Sequence, residues 1–145
     1  MKAVKEISAG GAVYRWQDEQ LQIQMIQDRY GKITLAKGKM EPGETIEETA
    51  LREILEETGI IGRIVEPVEV IMYQYSLPNV GMINKEVHYY LVEAVSGDLQ
   101  AQAEEIRGVE WLTPQAAWQQ QLQAGYSNNN GVLRKALQRL GIEVE

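Results

Sequence analysis

The stretch that decides the fold is residues 38–60, which read GKMEPGETIEETALREILEETGI. It combines two kinds of local structure. The run Glu41-Pro42-Gly43 is typical of a turn, so residues 37–43 are predicted to form a loop. The remainder has the composition and spacing of a helix, and that helix carries the most informative side chains of the chain.

The helix is predicted to begin after Thr45 and to end before Gly59. Thr45 is a suitable N-cap, and Glu48 completes a capping box with it. Gly59 is a suitable C-terminal stop, because glycine adopts the left-handed conformation without strain. On a wheel of about 100° per residue one side of the helix is apolar. That side is formed by Ala50, Leu51, Ile54 and Leu55, with Ile46 at its margin.

Three glutamates lie beside the apolar side of this helix. Glu53, Glu56 and Glu57 share an arc of roughly 100°. Like charges at these spacings destabilise a helix slightly, and the macrodipole disfavours anions near its C-terminus. Helix stability alone therefore does not favour the arrangement. A divalent cation would reverse the penalty, since Mg²⁺ binds carboxylate oxygens together with water and substrate phosphate.

The simpler interpretation of these glutamates is a solvated acidic face, which is the usual role of a Glu-rich helix. The surrounding residues favour the metal site instead. The stretch resembles the Nudix box at every defined position, namely Gly38, Glu44, Arg52-Glu53-Ile54, Glu56-Glu57 and Gly59-Ile60. The resemblance is direct over residues 38–60 and looser over the rest of the chain.

This resemblance implies a hydrolase that cleaves a nucleoside diphosphate linked to another moiety, with Mg²⁺ or Mn²⁺ as cofactor. Glu53, Glu56 and Glu57 match the family's metal ligands, and Gly38 matches the glycine whose carbonyl often supplies a further ligand. Divalent cations neutralise a pyrophosphate and lower the pKa of bound water. Glu53 and Glu57 are the preferred innermost ligands, because they lie one turn apart on one face. Glu56 is expected to bind directly or through water.

Two further positions of the box are occupied by Arg52 and Glu44. The planar guanidinium of Arg52 suits holding carboxylates in place, while Glu44 is expected to orient the loop rather than to bind metal. The alternative for Arg52 is a surface ion pair with Glu48. Lys37 and Lys39 are candidates for contacts with the substrate phosphates, and they are equally compatible with solvation.

The general base is left open by the resemblance, because family members take it either from the box or from a later loop. Glu105 resembles the later-loop glutamate, with Glu104 as its close rival and Glu53 as the alternative within the box. The competing interpretation of residues 103–107 is a solvated acidic loop. His88 is the single histidine and lies in a predicted strand, so it is assigned a structural role.

Composition limits the class of protein. At 145 residues and 44% hydrophobic content, the chain is predicted to form one domain over residues 1–145 with a real core. The absence of cysteine excludes disulfides and thiolate chemistry and fits a cytoplasmic protein. The net charge of −7 argues against duplex nucleic acid or an anionic membrane as partner. The expected state is a monomer or homodimer.

Periodicity along the rest of the chain predicts strands first, then the central helix, then more strands and two helices. Strands are predicted over residues 4–16, 21–25, 33–35, 68–75, 86–94 and 109–112, and helices over 114–123 and 131–140. Residues 78–84 are predicted to be a loop. The Gly10-Gly11 pair within the first strand suggests a bulge or a close backbone approach. The order fits an α/β (α+β) sandwich with a central mixed sheet, as the Nudix resemblance also implies.

The substrate is not decided by the sequence. The Trp-x-Leu-Pro-Lys-Gly run common in dinucleoside polyphosphate hydrolases is replaced by Ile33-Thr34-Leu35-Ala36-Lys37-Gly38. Tyr75 and Pro78 lie only near the positions that mark two subfamilies. A nucleoside triphosphate or dinucleoside polyphosphate is favoured, and a non-catalytic nucleotide-binding module is the alternative. Tyrosines at 73, 75, 89 and 90 are available to stack a base, but packing is the preferred role.

Overall fold

The computed structural model describes residues 3–102 and 104–144. Its strands are β1 (Val4–Gln17), β2 (Gln20–Asp28), β3 (Ile33–Thr34), β4 (Ala36–Lys39), β5 (Ile61–Leu77), β6 (Gly81–Ser96) and β7 (Ile106–Leu112). Its helices are α1 (Ile46–Thr58), α2 (Pro114–Ala124) and α3 (Asn130–Arg139), with a 3₁₀ turn at Ser127–Asn129. The predicted elements are thus all present in the predicted order.

Strand β1 is the hub of one mixed sheet. It runs parallel to β6 along one edge, while its other edge pairs antiparallel with β4 through residues 8–11 and with β2 through residues 14–17. The main order is β3-β2-β1-β6-β5, and β7 pairs with β2. The pairing of β1 with β4 brings the beginning of the 38–60 stretch to the middle of the sheet.

Helices cover both faces of this sheet. Helix α1 packs on one face through Ile54, which lies among Val13, Ile26 and Val92. Helices α2 and α3 pack on the other face through Trp118, Leu133 and Leu137. The burial of β2 follows from this, because Ile23 and Met25 face one layer and Ile26 faces the other. The predicted sandwich with a central mixed sheet is confirmed.

Helix α1 has the predicted ends. The Thr45 hydroxyl accepts from the Glu48 N–H at 3.1 Å, and the Glu48 carboxylate accepts from the Thr45 N–H at 2.8 Å. Gly59 ends the helix with φ of 81°. The predicted apolar face was wrong at Leu55, which is 42% exposed. The buried face is rotated toward Thr49 and Thr58, whose hydroxyls donate to Glu44 and to the Ile54 carbonyl.

The loop predicted over residues 37–43 was wrong for its first part. Residues 37–39 belong to β4, with Gly38 opposite Ala9 and Lys37 opposite Gly10. The pairing depends on Gly10, because a Cβ there would lie 1.8 Å from the Ala36 carbonyl oxygen. The predicted close backbone approach is therefore real.

Two later loops are also shorter than predicted. Residues 81–84 belong to β6, so only the turn at residues 78–80 separates β5 from β6. Ile106 and Arg107 belong to β7, because Ile106 pairs with Asp28 of β2 and Arg107 lies at the bulge that follows, a long-range pairing that the local sequence does not reveal. Residue 103 lies outside the described residues.

Candidate functional site

Strand β4 and helix α1 meet at the Glu53 carboxylate. A Cβ on Gly38 would lie 2.0 Å from Glu53 Oε2, so only glycine leaves room for the carboxylate at this point. The Glu53 side chain is 14% exposed. The sheet therefore positions this glutamate by backbone contact, and burial raises its pKa above the ordinary value.

Arg52 connects the carboxylates around the helix. Its Nε and Nη2 donate to the two oxygens of Glu44 at 2.5 and 3.0 Å. Its Nη1 donates to Glu53 at 2.7 Å and to Glu56 at 3.1 Å. Nη2 also donates to the Lys39 carbonyl at 2.9 Å, which ties the helix to β4. The alternative ion pair of Arg52 with Glu48 is not observed, because Glu48 completes the capping box.

Glu44 has the orienting geometry expected of it. Besides the two bonds from Arg52, its carboxylate accepts from the Glu41 N–H at 2.9 Å and from the Thr49 hydroxyl at 2.9 Å. The Arg52 bonds lower the pKa of Glu44 to about 2. A carboxylate with this many donors is saturated, so its role is to fix the loop to the helix.

Glu57 is the carboxylate whose protonation is most perturbed. Burial, and then repulsion from Glu53, raises its pKa to about 8. It accepts one weak hydrogen bond at 3.3 Å from the Lys37 N–H. The Lys37 ammonium is itself half-buried, and burial followed by repulsion from Lys85 lowers its pKa. A partly buried acid and a partly buried amine thus face the same space.

That space is an open groove of about 350 Å³, the acidic groove, lined by Lys37, Gly38, Lys39, Glu53, Glu56, Glu57 and Glu105. Every predicted metal ligand borders it. Glu56 is exposed, with 56% of its side chain accessible, whereas Glu53 and Glu57 are partly buried. Glu105 lies in the turn before β7 and is exposed, yet it borders the groove, whereas Glu104 beside it does not.

A second cavity of about 280 Å³, the apolar pocket, adjoins the acidic groove. The two share Lys37, Glu57 and Glu105 as a common wall. Beyond that wall the lining is largely apolar and aromatic, with Leu35, Ile71, Tyr73, Val87 and Tyr89. Aromatic and aliphatic walls beside a charged groove are typical of a site for a small molecule with one apolar and one anionic part.

The far rim of the apolar pocket is formed by residues that are distant in sequence. Asp28 comes from the end of β2, and Tyr126, Asn128 and Asn129 come from the segment between α2 and α3. The Tyr126 hydroxyl donates to Asp28 across this rim. The Asn129 side chain accepts from the Tyr89 hydroxyl at 3.3 Å and donates to the Thr34 hydroxyl at 3.2 Å.

Lys85 is a buried charged residue that was not predicted from the sequence. This lysine is 7% exposed and donates to Glu6 at 2.6 Å. Glu6 also accepts from the Tyr75 hydroxyl at 2.9 Å and pairs with Lys39 at 3.2 Å. A signal was available, since Lys85 occupies an inward position of β6 between the buried Ile83 and Val87. Charge at such a position requires a partner or a function.

The arrangement fits a hard divalent cation by the chemistry of its donors. The groove presents the three glutamate carboxylates of α1, Glu105 and the Gly38 backbone, and a bound cation would stabilise the ionised form of Glu57. Within residues 3–102 and 104–144, no three acidic or histidine side chains are already close enough to form a finished metal site. Arg52 donates to one oxygen of Glu53 and to one oxygen of Glu56, which leaves the second oxygen of each carboxylate without a bond from the guanidinium.

Other predicted roles are now placed in the fold. His88 lies away from both cavities on β6, where its Nε2 is 3.1 Å from Glu86. Tyr73 and Tyr89 line the apolar pocket, while the Tyr75 and Tyr90 hydroxyls donate to Glu6 and Glu47. No helix in the described part of the chain is long and apolar enough to cross a membrane.

Comparison with known proteins gives consistent results. The family model described as NUDIX domain matches residues 5–135. A putative mutator protein MutT4 of Mycobacterium tuberculosis is 36% identical over 77% of this chain and 48% of its own length. A putative 8-oxo-dGTP diphosphatase of Bacillus subtilis is 34% identical over 55% of this chain and 49% of its own length. The chain thus spans about half the length of these relatives.

Solved structures share the fold. A Caenorhabditis elegans Ap4A hydrolase in a binary complex has a TM-score of 0.73 at 24% identity, covering 94% of this chain and 98% of that one. The NUDIX domain of Shewanella oneidensis NrtR, complexed with ADP ribose, has a TM-score of 0.74 at 19% identity, covering 97% and 90%. Identities this low establish the common architecture alone.

Proposed function

The chain belongs to the NUDIX domain family, and from this premise we propose that it is a metal-dependent pyrophosphohydrolase. Its substrate is a nucleoside diphosphate linked to another moiety. The observation that carries the proposal is the convergence of Glu53, Glu56, Glu57 and Glu105 on one groove that opens into an apolar pocket. A cation site next to a pocket for a nucleoside is what hydrolysis of a nucleotide anhydride requires.

Mg²⁺ or Mn²⁺ would be held by Glu53, Glu57 and Glu56, with the Gly38 carbonyl as a further donor. When bound, the ion neutralises phosphate charge and makes water a stronger acid. Arg52 keeps the Glu53 carboxylate turned toward the groove, because its guanidinium is fixed on Glu44. The removal of Glu44 or Arg52 would therefore release the ligands without changing their number.

The remaining groove residues act on the substrate. Lys37 and Lys39 border the groove, and their ammonium groups would neutralise the oxyanions of the phosphates. Glu105 accepts a proton from the attacking water as general base. Its place in an exposed turn that borders both cavities lets it approach a bound substrate, and a base on a turn can move into position when substrate binds.

The apolar pocket takes the nucleoside in this proposal. Tyr73 and Tyr89 provide aromatic surface, and Asn128 and Asn129 provide amide groups at the rim. A nucleoside triphosphate or a dinucleoside polyphosphate is the favoured substrate class. The names of relatives support it, since they include a putative 8-oxo-dGTP diphosphatase and an 8-oxo-(d)GTP phosphatase of Mycolicibacterium smegmatis.

The test is a panel of substrates assayed with and without Mg²⁺. Nucleoside triphosphates, 8-oxo-dGTP, dinucleoside polyphosphates, nucleotide sugars and ADP-ribose are compared by nucleotide and phosphate release. We expect Mg²⁺-dependent cleavage of at least one of the first three classes and loss of that activity in Glu53→Gln. Binding of nucleotides without cleavage would refute hydrolysis and favour the non-catalytic module.

A further inference from the structure

One of the hydrogen bonds that close the far rim of the apolar pocket joins Asp28 to Tyr126. Asp28 ends β2, and Tyr126 follows α2; the Tyr126 hydroxyl donates to the Asp28 carboxylate. Both residues line the pocket. Helix α2 does not depend on Tyr126 for its position, because it is anchored by the buried Ala117, Trp118 and Gln121.

Asp28 is fixed by hydrogen bonds other than the one from Tyr126. Its Oδ1 accepts from the N–H groups of Tyr30 and Lys32, each at 2.9 Å, and its backbone N–H donates to the Lys32 carbonyl at 2.8 Å. The second carboxylate oxygen is therefore aimed in a fixed direction. The Tyr126 hydroxyl lies in that direction, and the Lys32 ammonium sits 5.6 Å from the centre of the Tyr126 ring.

The segment over residues 125–129 is attached at points that flank Asn128. The Tyr126 carbonyl accepts from Gln121 Nε2 at 2.8 Å, and Asn129 is fixed by Tyr89 and Thr34. Between these attachments Asn128 is exposed and lines the pocket. The backbone of this wall is fixed by Gln121 and by the bridge between Gly125 and Ile33, and the Tyr126 side chain adds the bond to Asp28 at one end while Asn129 anchors the other.

We infer that Asp28 and Tyr126 form a positioning pair for the substrate, whose hydrogen bond holds residues 125–129 against the pocket and thereby sets its affinity for the nucleoside. The inference rests on the proposed function, because it concerns the nucleoside end of the same substrate. The pair does not border the acidic groove. Its loss should accordingly raise KM and leave kcat unchanged, since a wall that must be ordered on binding costs affinity but not chemistry.

The experiment compares Tyr126→Phe with Tyr30→Phe as the matched control. Both remove one phenolic hydroxyl from the same region, but Tyr30 is 70% exposed and does not line the pocket. Tyr126→Phe should raise KM for the best substrate about tenfold, which corresponds to about 1.4 kcal/mol, with kcat within about twofold. Tyr30→Phe should change neither constant. Hydrogen exchange of residues 125–129 should be faster in Tyr126→Phe alone.

Asp28→Asn and the double variant complete a cycle. If one bond carries the effect, the double variant should have the KM of the single variants and not the product of their effects. An unchanged KM in Tyr126→Phe, an equal fall in kcat, or fully additive effects would overturn the inference.

If wild-type protein hydrolyses nothing on the panel, the proposed function fails separately. The pair is then judged by nucleoside monophosphate binding, where equal affinity of wild type and Tyr126→Phe, or no binding by either, would overturn it.

Discussion

Glu57→Gln should remove a pH dependence of folding that the native carboxylate imposes. The pKa of Glu57 is raised from 4.5 to about 8, first by burial and then by Glu53. Between these two values the folded protein keeps a proton that the unfolded chain has lost. The free energy of unfolding must therefore fall as pH rises through this window. At about 1.4 kcal/mol per pKa unit, the full effect is on the order of 4–5 kcal/mol.

Urea unfolding followed by tryptophan fluorescence measures this directly. In EDTA, wild-type stability should fall by about 3 kcal/mol between about pH 5.5 and pH 8. Glu57→Gln should show little of that fall, because the amide keeps the shape of the side chain and carries no charge. Glu56→Gln is the control, since its side chain is 56% exposed and should keep the wild-type slope.

Adding Mg²⁺ should stabilise wild-type protein more than Glu57→Gln. A cation that binds only the folded state stabilises it by an amount that grows with the logarithm of cation concentration above the Kd, and it favours the ionised carboxylate. Wild-type protein should gain stability with Mg²⁺ at pH 8, and Glu57→Gln should gain much less. A flat wild-type profile in EDTA, or the same slope in Glu57→Gln, would refute the argument that this carboxylate is held in a costly environment.

Three further substitutions test other parts of the site. Gly38→Ala should reduce turnover by at least about a hundredfold, because its Cβ would displace the Glu53 carboxylate that lies within 2.0 Å; wild-type kcat would contradict this. Arg52→Lys should weaken Mg²⁺ binding about tenfold in calorimetry, since an ammonium cannot reproduce the paired bonds to Glu44; unchanged affinity would show that the guanidinium is dispensable. Glu105→Gln should lower kcat at saturating substrate by about a hundredfold with metal affinity unchanged, while Glu104→Gln should have little effect on kcat. Equal, small effects of the two substitutions would favour Glu53 as the general base.

Local signals in the sequence predicted helix α1 and both of its ends. The capping roles of Thr45, Glu48 and Gly59 involve only residues nearby in sequence, so they can be predicted without knowledge of the fold. The strand at residues 36–39 could not be predicted from the local sequence. Its formation depends on hydrogen-bonded pairing with β1 and on the absence of a Cβ at Gly10. Local patterns contain no record of such long-range pairing.

The second cavity was also beyond the sequence argument. Asp28 and Tyr126 are far apart in sequence. They become neighbours because the chain after α2 places Gly125 beside Ile33. Lys85 was within reach of prediction, since a lysine on the inward face of an alternating strand is anomalous in itself. The catalytic roles of Glu53 and Glu105 stay predictions until the variants are assayed.

The close approach at Gly10 has a consequence for recognising active relatives. The backbone that faces Gly10 is that of Lys37, whose N–H donates to Glu57. Any side chain at position 10 would push this strand outward and withdraw that donor from the acidic groove. A chain can thus carry an intact copy of residues 38–60 and still have a distorted acidic groove. Genome surveys that score the box alone would count such chains as enzymes, and inspection of the residue opposite Lys37 would separate them.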